Sequence, residues 1–169
     1  SGGDFGGGAG ASYSASAGSG GFAAGDGGVD DRGGNGGSGL GGAIFVRAGG
    51  TLNFLDSAIA NSGVTAGAGG TGFSNGNAGS ASGGGMYLGT GTTANIGVST
   101  GSVTLADEIG GTGSVEKTGA GTLVLGGHNT YTGTTMVNAG RLAINGTTTS
   151  NTTVVSGAEL GGNGTIVGD

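Results

Sequence analysis

Residues 140–165 read GRLAINGTTTSNTTVVSGAELGGNGT, and Arg141, Leu142, Asn145, Gly146 and Thr147 are matched 18 residues later by Glu159, Leu160, Asn163, Gly164 and Thr165. Two apolar runs, each closed by Asn-Gly, return at a fixed interval. Upstream the same opening appears in GSVTL at 101–105 and GTLVL at 121–125, so that with GRLAI at 140–144 and AELGG at 158–162 the copies start 20, 19 and 18 residues apart. In the first three copies the third and fifth residues are apolar: Val103 and Leu105, Leu123 and Leu125, Leu142 and Ile144. A period of two puts each pair on one strand face. One coil of a β-solenoid uses about 20 residues, and each coil covers the apolar face of its neighbour through a parallel ladder about 4.8 Å apart.

A longer repeat precedes these. GGAIFVRAGGTLNF from Gly41 matches GGGMYLGTGTTANI from Gly83 at a constant offset of 42. Ile44 answers to Met86, Phe45 to Tyr87, Val46 to Leu88, Thr51 to Thr93, Asn53 to Asn95 and Phe54 to Ile96. Helix signals are nearly absent, because Gly, Thr, Ser, Asn and Val dominate and no apolar residues recur at helical spacing. The expected fold is all-β: a parallel β-helix, or β-solenoid, over 41–169, with a Gly-rich segment at 1–40 and a Gly-rich excursion at about 63–82.

The glycine content sets the terms for those two tracts. With 50 glycines and no proline in 169 residues, such a composition reads as linker unless something packs it, since glycine loses the most backbone entropy on folding and adds no side chain to a core. Either the tracts loop freely, or their glycines pack as extended strands of polyproline II type, which close approach of backbones favours. Asparagines at strand ends (Asn61, Asn129, Asn138, Asn145, Asn163) suit the left-handed backbone of sharp corners, and stacked asparagines can also bond along the coil axis.

Charge and cysteine count narrow the chemistry. Ten carboxylates against four basic residues leave a net charge of −6, which disfavours nucleic acid and anionic membrane as partners. The chain has no cysteine and one histidine, so thiolate metal sites and disulfides are excluded and zinc or haem would need carboxylate ligands. No apolar run is long enough for a membrane-spanning helix. No catalytic set, cofactor or metal site is expected. GGNGTIVGD at the end stops in a strand-like pattern, and the chain is expected to be part of something longer.

The stretch GTGSVEKTGAGTLVLGGHNTYTGTTMVNAGRLAING, residues 111–146, closely resembles the passenger-associated repeat of bacterial autotransporters. That pattern runs G-x-G-x-x-x-K-x-G-x-G-T-L, then N-T-Y-T-G, then V-x-x-G-x-L. Lys117, Gly119, Gly121, Thr122, Leu123, Asn129 to Gly133, Val137, Gly140 and Leu142 hold the matching positions. VVSGAELGGNGTIVGD looks like the following coil, and GLGGAIFV with GGTLNFLDSAIANSG is similar to looser autotransporter β-strand repeats. The resemblance implies a right-handed parallel β-helix exported through the periplasm and an outer-membrane barrel to the surface of a Gram-negative-type bacterium, with 111–169 in a stabilising role.

Individual candidates weigh little against this scaffold. His128 falls in the segment joining two coils, at a variable position of the family pattern, and Tyr131 is expected to pack over the next coil. GVSTG at 97–101 matches the nucleophile-elbow pattern around Ser99, but so many glycines make one such match expected by chance, and the strand-to-helix context is missing. Phosphate-loop patterns fail for want of a following helix, and Lys117 and Thr118 follow Glu116 and not a glycine. Asp26, Asp30 and Asp31 in GDGGVDDRGG resemble calcium-binding glycine repeats without their spacing, and Arg32 partly neutralises them. Only Asp107, Glu108, Glu116 and Lys117 lie close enough in sequence to attempt acid–base chemistry. Arg141 and Glu159 should be outward neighbours, while Val103, Leu123, Leu142 and Leu160 should form an inward ladder.

The function expected is therefore non-enzymatic: a structural or adhesive surface fragment that supports adhesion, self-association or display of other domains, with the rest of its own longer chain and a host or abiotic surface as partners. The alternatives are the scaffold portion of an autotransporter enzyme or of a carbohydrate-active β-helix, a surface-layer or filament subunit, and an ice-binding solenoid, although regular outward T-x-T rows are not evident.

Overall fold

A computed structural model describes Gly25, Gly28 and residues 32–168 of the protein. Residues 1–24 and the acidic trio Asp26, Asp30 and Asp31 lie outside the described residues. Among the described residues every regular element is a strand, and the named strands of residues 41–168 pair in parallel. This is the parallel β-solenoid that the repeats predict. Two compact units are present, one built from residues up to 40 together with 64–81 and the other from 41–63 together with 82–168.

The second unit is a three-sided coil. Its first face stacks Thr51–Leu55, Thr93–Gly97, Ser114–Thr118, Thr135–Val137 and Thr152–Val154. The second stacks Ser102–Leu105, Thr122–Leu125, Arg141–Ile144 and Glu159–Gly161, and the third carries two three-stranded ladders: Ile44–Val46, Met86–Leu88 and Ile109–Gly111, then His128–Asn129, Thr147–Thr148 and Thr165–Ile166. Register follows the repeats. Leu123 lies between Val103 and Leu142, Leu142 is partnered by Leu160, and the 42-residue offset sets Ile44 beside Met86 and Asn53 beside Asn95.

Inside, Met86, Leu88, Ile96, Leu105, Ile109, Val115, Leu123, Leu125, Val137 and Leu142 are essentially inaccessible to water. Each is supplied by the alternation of its own strand and sealed by the coils on either side. Two members of the expected inward ladder depart from this. Val103 is half-buried, and Leu160 keeps 41% of its surface exposed because among the described residues no coil covers the far side of Glu159–Gly161. Arg141 and Glu159 are register partners as expected, with the Arg141 guanidinium lying over the bare Cα of Gly161.

The first unit answers the question of the glycine tracts for 32–40 and 64–81: they pack. Hydrogen bonds recur every third residue, the repeat of a polyproline II strand. Gly33, Gly36 and Gly39 donate to the carbonyls of Ser74, Asn77 and Ser80 at 2.8, 2.7 and 2.8 Å. Gly76 and Gly79 donate in turn to Gly70 and Gly67, both at 2.9 Å, and Gly70 and Gly67 donate to Gly34 and Gly37 at 2.7 and 2.8 Å. Three segments thus bond in a closed cycle. A Cβ on Gly36 would lie 1.9 Å from the Gly67 oxygen, and one on Gly76 2.0 Å from that of Gly34, so backbones approach here as only glycine allows.

Leu142→Ala is expected to lower unfolding free energy by about 2 to 5 kcal/mol in urea titrations, as a buried leucine truncation does, whereas Leu160→Ala, already in contact with water, should lower it by about 1 kcal/mol or less.

Candidate functional site

Polar side chains concentrate where coils meet, and each can be followed to a partner. Lys117 is the least expected. Strand alternation in Ser114–Thr118 points Val115 and Lys117 inward and Glu116 outward, so Lys117 occupies the column of Ile96, Val137 and Val154 and is fully buried. Its Nζ donates to the carbonyls of Thr118 at 2.6 Å, Gly119 at 2.7 Å and Ala139 at 3.1 Å. All three ammonium protons are thereby used, which is what makes a charge tolerable in such a place. Burial holds its pKa below the ordinary 10.5. The lysine joins its own corner to that of the following coil.

Asn129 does the same across three coils. It is 1% exposed; its Oδ1 accepts the Ile109 N–H at 3.0 Å, and its Nδ2 donates to Gly127 O and Thr147 O, both at 3.1 Å. The third face changes there from one three-stranded ladder to the next, and the side-chain amide bridges the break. Tyr131 is buried as expected, and its hydroxyl is also bonded, to Thr135 Oγ1 at 2.5 Å; Thr135 is bonded in turn to Ser150 Oγ of the next coil. Thr135, like Lys117, occupies an inward position that apolar residues hold in neighbouring coils.

The corner asparagines differ from expectation. Of the five, only Asn61 has a positive φ, 59°. Asn129 works through its buried amide, Asn138 Nδ2 donates to Glu116 Oε1, and Asn145 Oδ1 accepts the Asn163 N–H at 3.4 Å. Their choice reflects side-chain bonding between coils more than backbone handedness. The stack of Asn53 and Asn95 is present, Asn95 Nδ2 donating to Asn53 Oδ1 at 3.1 Å.

The four residues weighed for acid–base chemistry do not converge. Asp107 Oδ2 accepts the Ser62 N–H at 2.7 Å, and Glu108 Oε1 accepts the Thr130 hydroxyl at 2.6 Å. Glu116 lies on the outward side with Asn138, opposite in direction to Lys117. Ser99, the serine of GVSTG, has no helix behind it: its hydroxyl donates to Asp56 Oδ2 at 2.8 Å and its N–H to Asp56 Oδ1 at 2.7 Å. These two bonds hold the Asp56 carboxyl below the ordinary value of 3.8, and Asp56 takes a φ of 47° to receive them. His128 is exposed, in the short strand His128–Asn129 beside Thr147. Sequence alternation alone could have flagged Lys117, since Val115 fixes the inward parity of its strand; nothing comparable marks Asp56 as the partner of Ser99, 43 residues away.

A family model described as the passenger-associated transport repeat matches residues 115–144, the stretch that holds Lys117, Asn129, Tyr131 and Thr135. An extracellular serine protease of Serratia marcescens is 48% identical over 61 residues, 36% of this chain and 6% of that protein. The adhesin BmaC autotransporter of Brucella suis biovar 1 (strain 1330) is 48% identical over 71 residues, 40% of this chain and 2% of the adhesin. The chain therefore corresponds to a small part of the length of these relatives. No solved structure matches it.

Two outcomes follow for stability. Asn129→Leu leaves the Ile109 N–H and two carbonyls unpaired and should cost on the order of 3 kcal/mol, while His128→Ala next to it should change unfolding free energy by less than about 0.5 kcal/mol; paired urea titrations measure both. For Asp56 the folded pKa is depressed, so its contribution is full above the unfolded value of 3.8 and disappears as pH falls through the lower folded value. Urea midpoints of the parent and Asp56→Asn should differ at neutral pH and converge in acid.

Proposed function

We propose that this chain, an autotransporter passenger-type repeat region, is a non-enzymatic structural segment of a surface-exposed or secreted protein of a Gram-negative-type bacterium, supporting adhesion, self-association or the display of other domains. The observation that carries this reading is the use to which its reactive side chains are put. Asp56, Asp107, Glu108, Glu116 and Lys117 each spend their hydrogen-bonding capacity on a neighbouring segment or coil, and the sum is a set of cross-links along a stack. The similarity to part of a named autotransporter adhesin supports the adhesive version. Its partners on this reading are the remainder of its own longer polypeptide and a second cell, copy or abiotic surface.

The similarity to part of an extracellular serine protease supports a second reading, in which the same stack serves as scaffold for an enzymatic domain elsewhere in the chain. Both readings give this segment the same mechanical role, that of a stable elongating ladder held outside the cell.

Displayed on a Gram-negative host through an autotransporter barrel, the segment is expected to raise cell–cell aggregation or attachment to plastic over a barrel-only control, and the purified chain should leave peptide, ester and glycoside substrates unturned. Turnover by the purified chain that survives repurification would overturn the non-enzymatic reading, and unchanged aggregation and attachment would overturn the adhesive one.

A further inference from the structure

Gly42, Gly63 and Gly84 recur at an interval of 21 residues, about one coil, and meet at one corner of the solenoid unit. A Cβ on Gly42 would lie 2.0 Å from the Gly84 oxygen and 2.6 Å from the Gly63 oxygen, and one on Gly84 would lie 4.0 Å from the Gly63 Cα. Gly63 is the last solenoid residue before 64–81, and Ser82 the first after it. The chain therefore leaves the solenoid and re-enters it at nearly the same point. With a Cα–Cβ bond of about 1.5 Å, the Cα atoms of Gly63 and Gly84 are at most about 5.5 Å apart, a gap that one intervening residue spans with ease.

The coils on the two sides of this point hold together without help from the segment between them. Ile44–Val46 pairs with Met86–Leu88, and Thr51–Leu55 with Thr93–Gly97. Asn53 bonds Asn95, Asp56 bonds Ser99, Asp107 bonds Ser62, and Ala106 N donates to Ile59 O at 2.9 Å. All of these groups belong to the solenoid unit. The segment 64–81 has its own bonding cycle with 33–39, and its turn at 71–75, fixed by Gly72 N donating to Asn75 Oδ1 at 3.1 Å, presents Phe73 with 96% of its surface exposed.

We propose that residues 64–82 are a separable insert: the solenoid closes and stacks without them, and whatever contact their tip makes through Phe73 can be removed or exchanged without loss of the scaffold. The stack has one continuous ladder on its first face from Thr51 to Val154, and the insert interrupts the chain but not the ladder. Exposed segments whose ends lie close together are the places where domains accept deletion and insertion. Separability rests on the solenoid geometry, and it holds whether or not the segment proves adhesive.

The test removes Val64–Ser82 so that Gly63 is joined to Gly83. A single cooperative thermal transition with Tm within about 5 °C of the parent is expected, with the β signal in circular dichroism retained; a lost or broadened transition overturns the proposal. Chymotrypsin treatment of the intact chain gives a second readout that does not depend on the variant folding. The first cut should fall after Phe73 and leave the solenoid portion resistant for at least about tenfold longer than the insert, whereas digestion of the solenoid at the same rate as the nick would show that the insert is needed to hold it.

Discussion

A parallel coil cannot satisfy itself. Each strand of the solenoid offers N–H and C=O groups along both edges and an apolar row on one side, and only the coils before and after can pair the first or cover the second. That dependence explains why burial is complete in the middle of the stack, at Leu123 and Leu142, and fades at Leu160, Ile166 and Val167. It also explains why so few large side chains suffice. A coil places only one or two inward residues per face, but each is enclosed by its register partners above and below, so a chain with 50 glycines still builds a dry interior.

The same dependence accounts for the buried polar residues. Lys117, Asn129 and Thr135 stand where coil chemistry would accept an apolar side chain, and each is satisfied only when another coil is in place: Lys117 by Ala139, Asn129 by Ile109 and Thr147, Thr135 by Ser150. Apolar rows tolerate a slip by one coil, since a leucine packs nearly as well against one neighbour as another. A buried amide or ammonium does not, because a slip would strand it unpaired at a cost of about 1 to 3 kcal/mol or more. The polar set therefore acts on register more than on total stability.

What is legible in the sequence is what is periodic. The spacing of 101, 121, 140 and 158 and the offset of 42 place strand beside strand because parallel in-register pairing repeats sequence in space. Residues that bond across coils through side chains leave no such trace. Asn138 and Asn145 look like corner residues chosen for backbone conformation, and only folding brings them to Glu116 and Asn163. The glycine tracts are illegible for a different reason. A polyproline II bundle needs glycine at every third position, but here extra glycines fill the intervening positions, as at Gly34 and Gly37, and blur the period that Gly33, Gly36 and Gly39 obey.

The shortening of successive register intervals on the second face, from 20 to 19 to 18 residues, bears on how such a chain can change over generations. Tandem repeats usually grow and shrink by unequal recombination, which swaps one unit for another. Here each coil has a perimeter one residue different from its neighbour's, so an exchanged or duplicated coil would arrive at the next corner out of phase and turn its apolar residues outward. The array is graded and not modular, and its order is inherited as a whole.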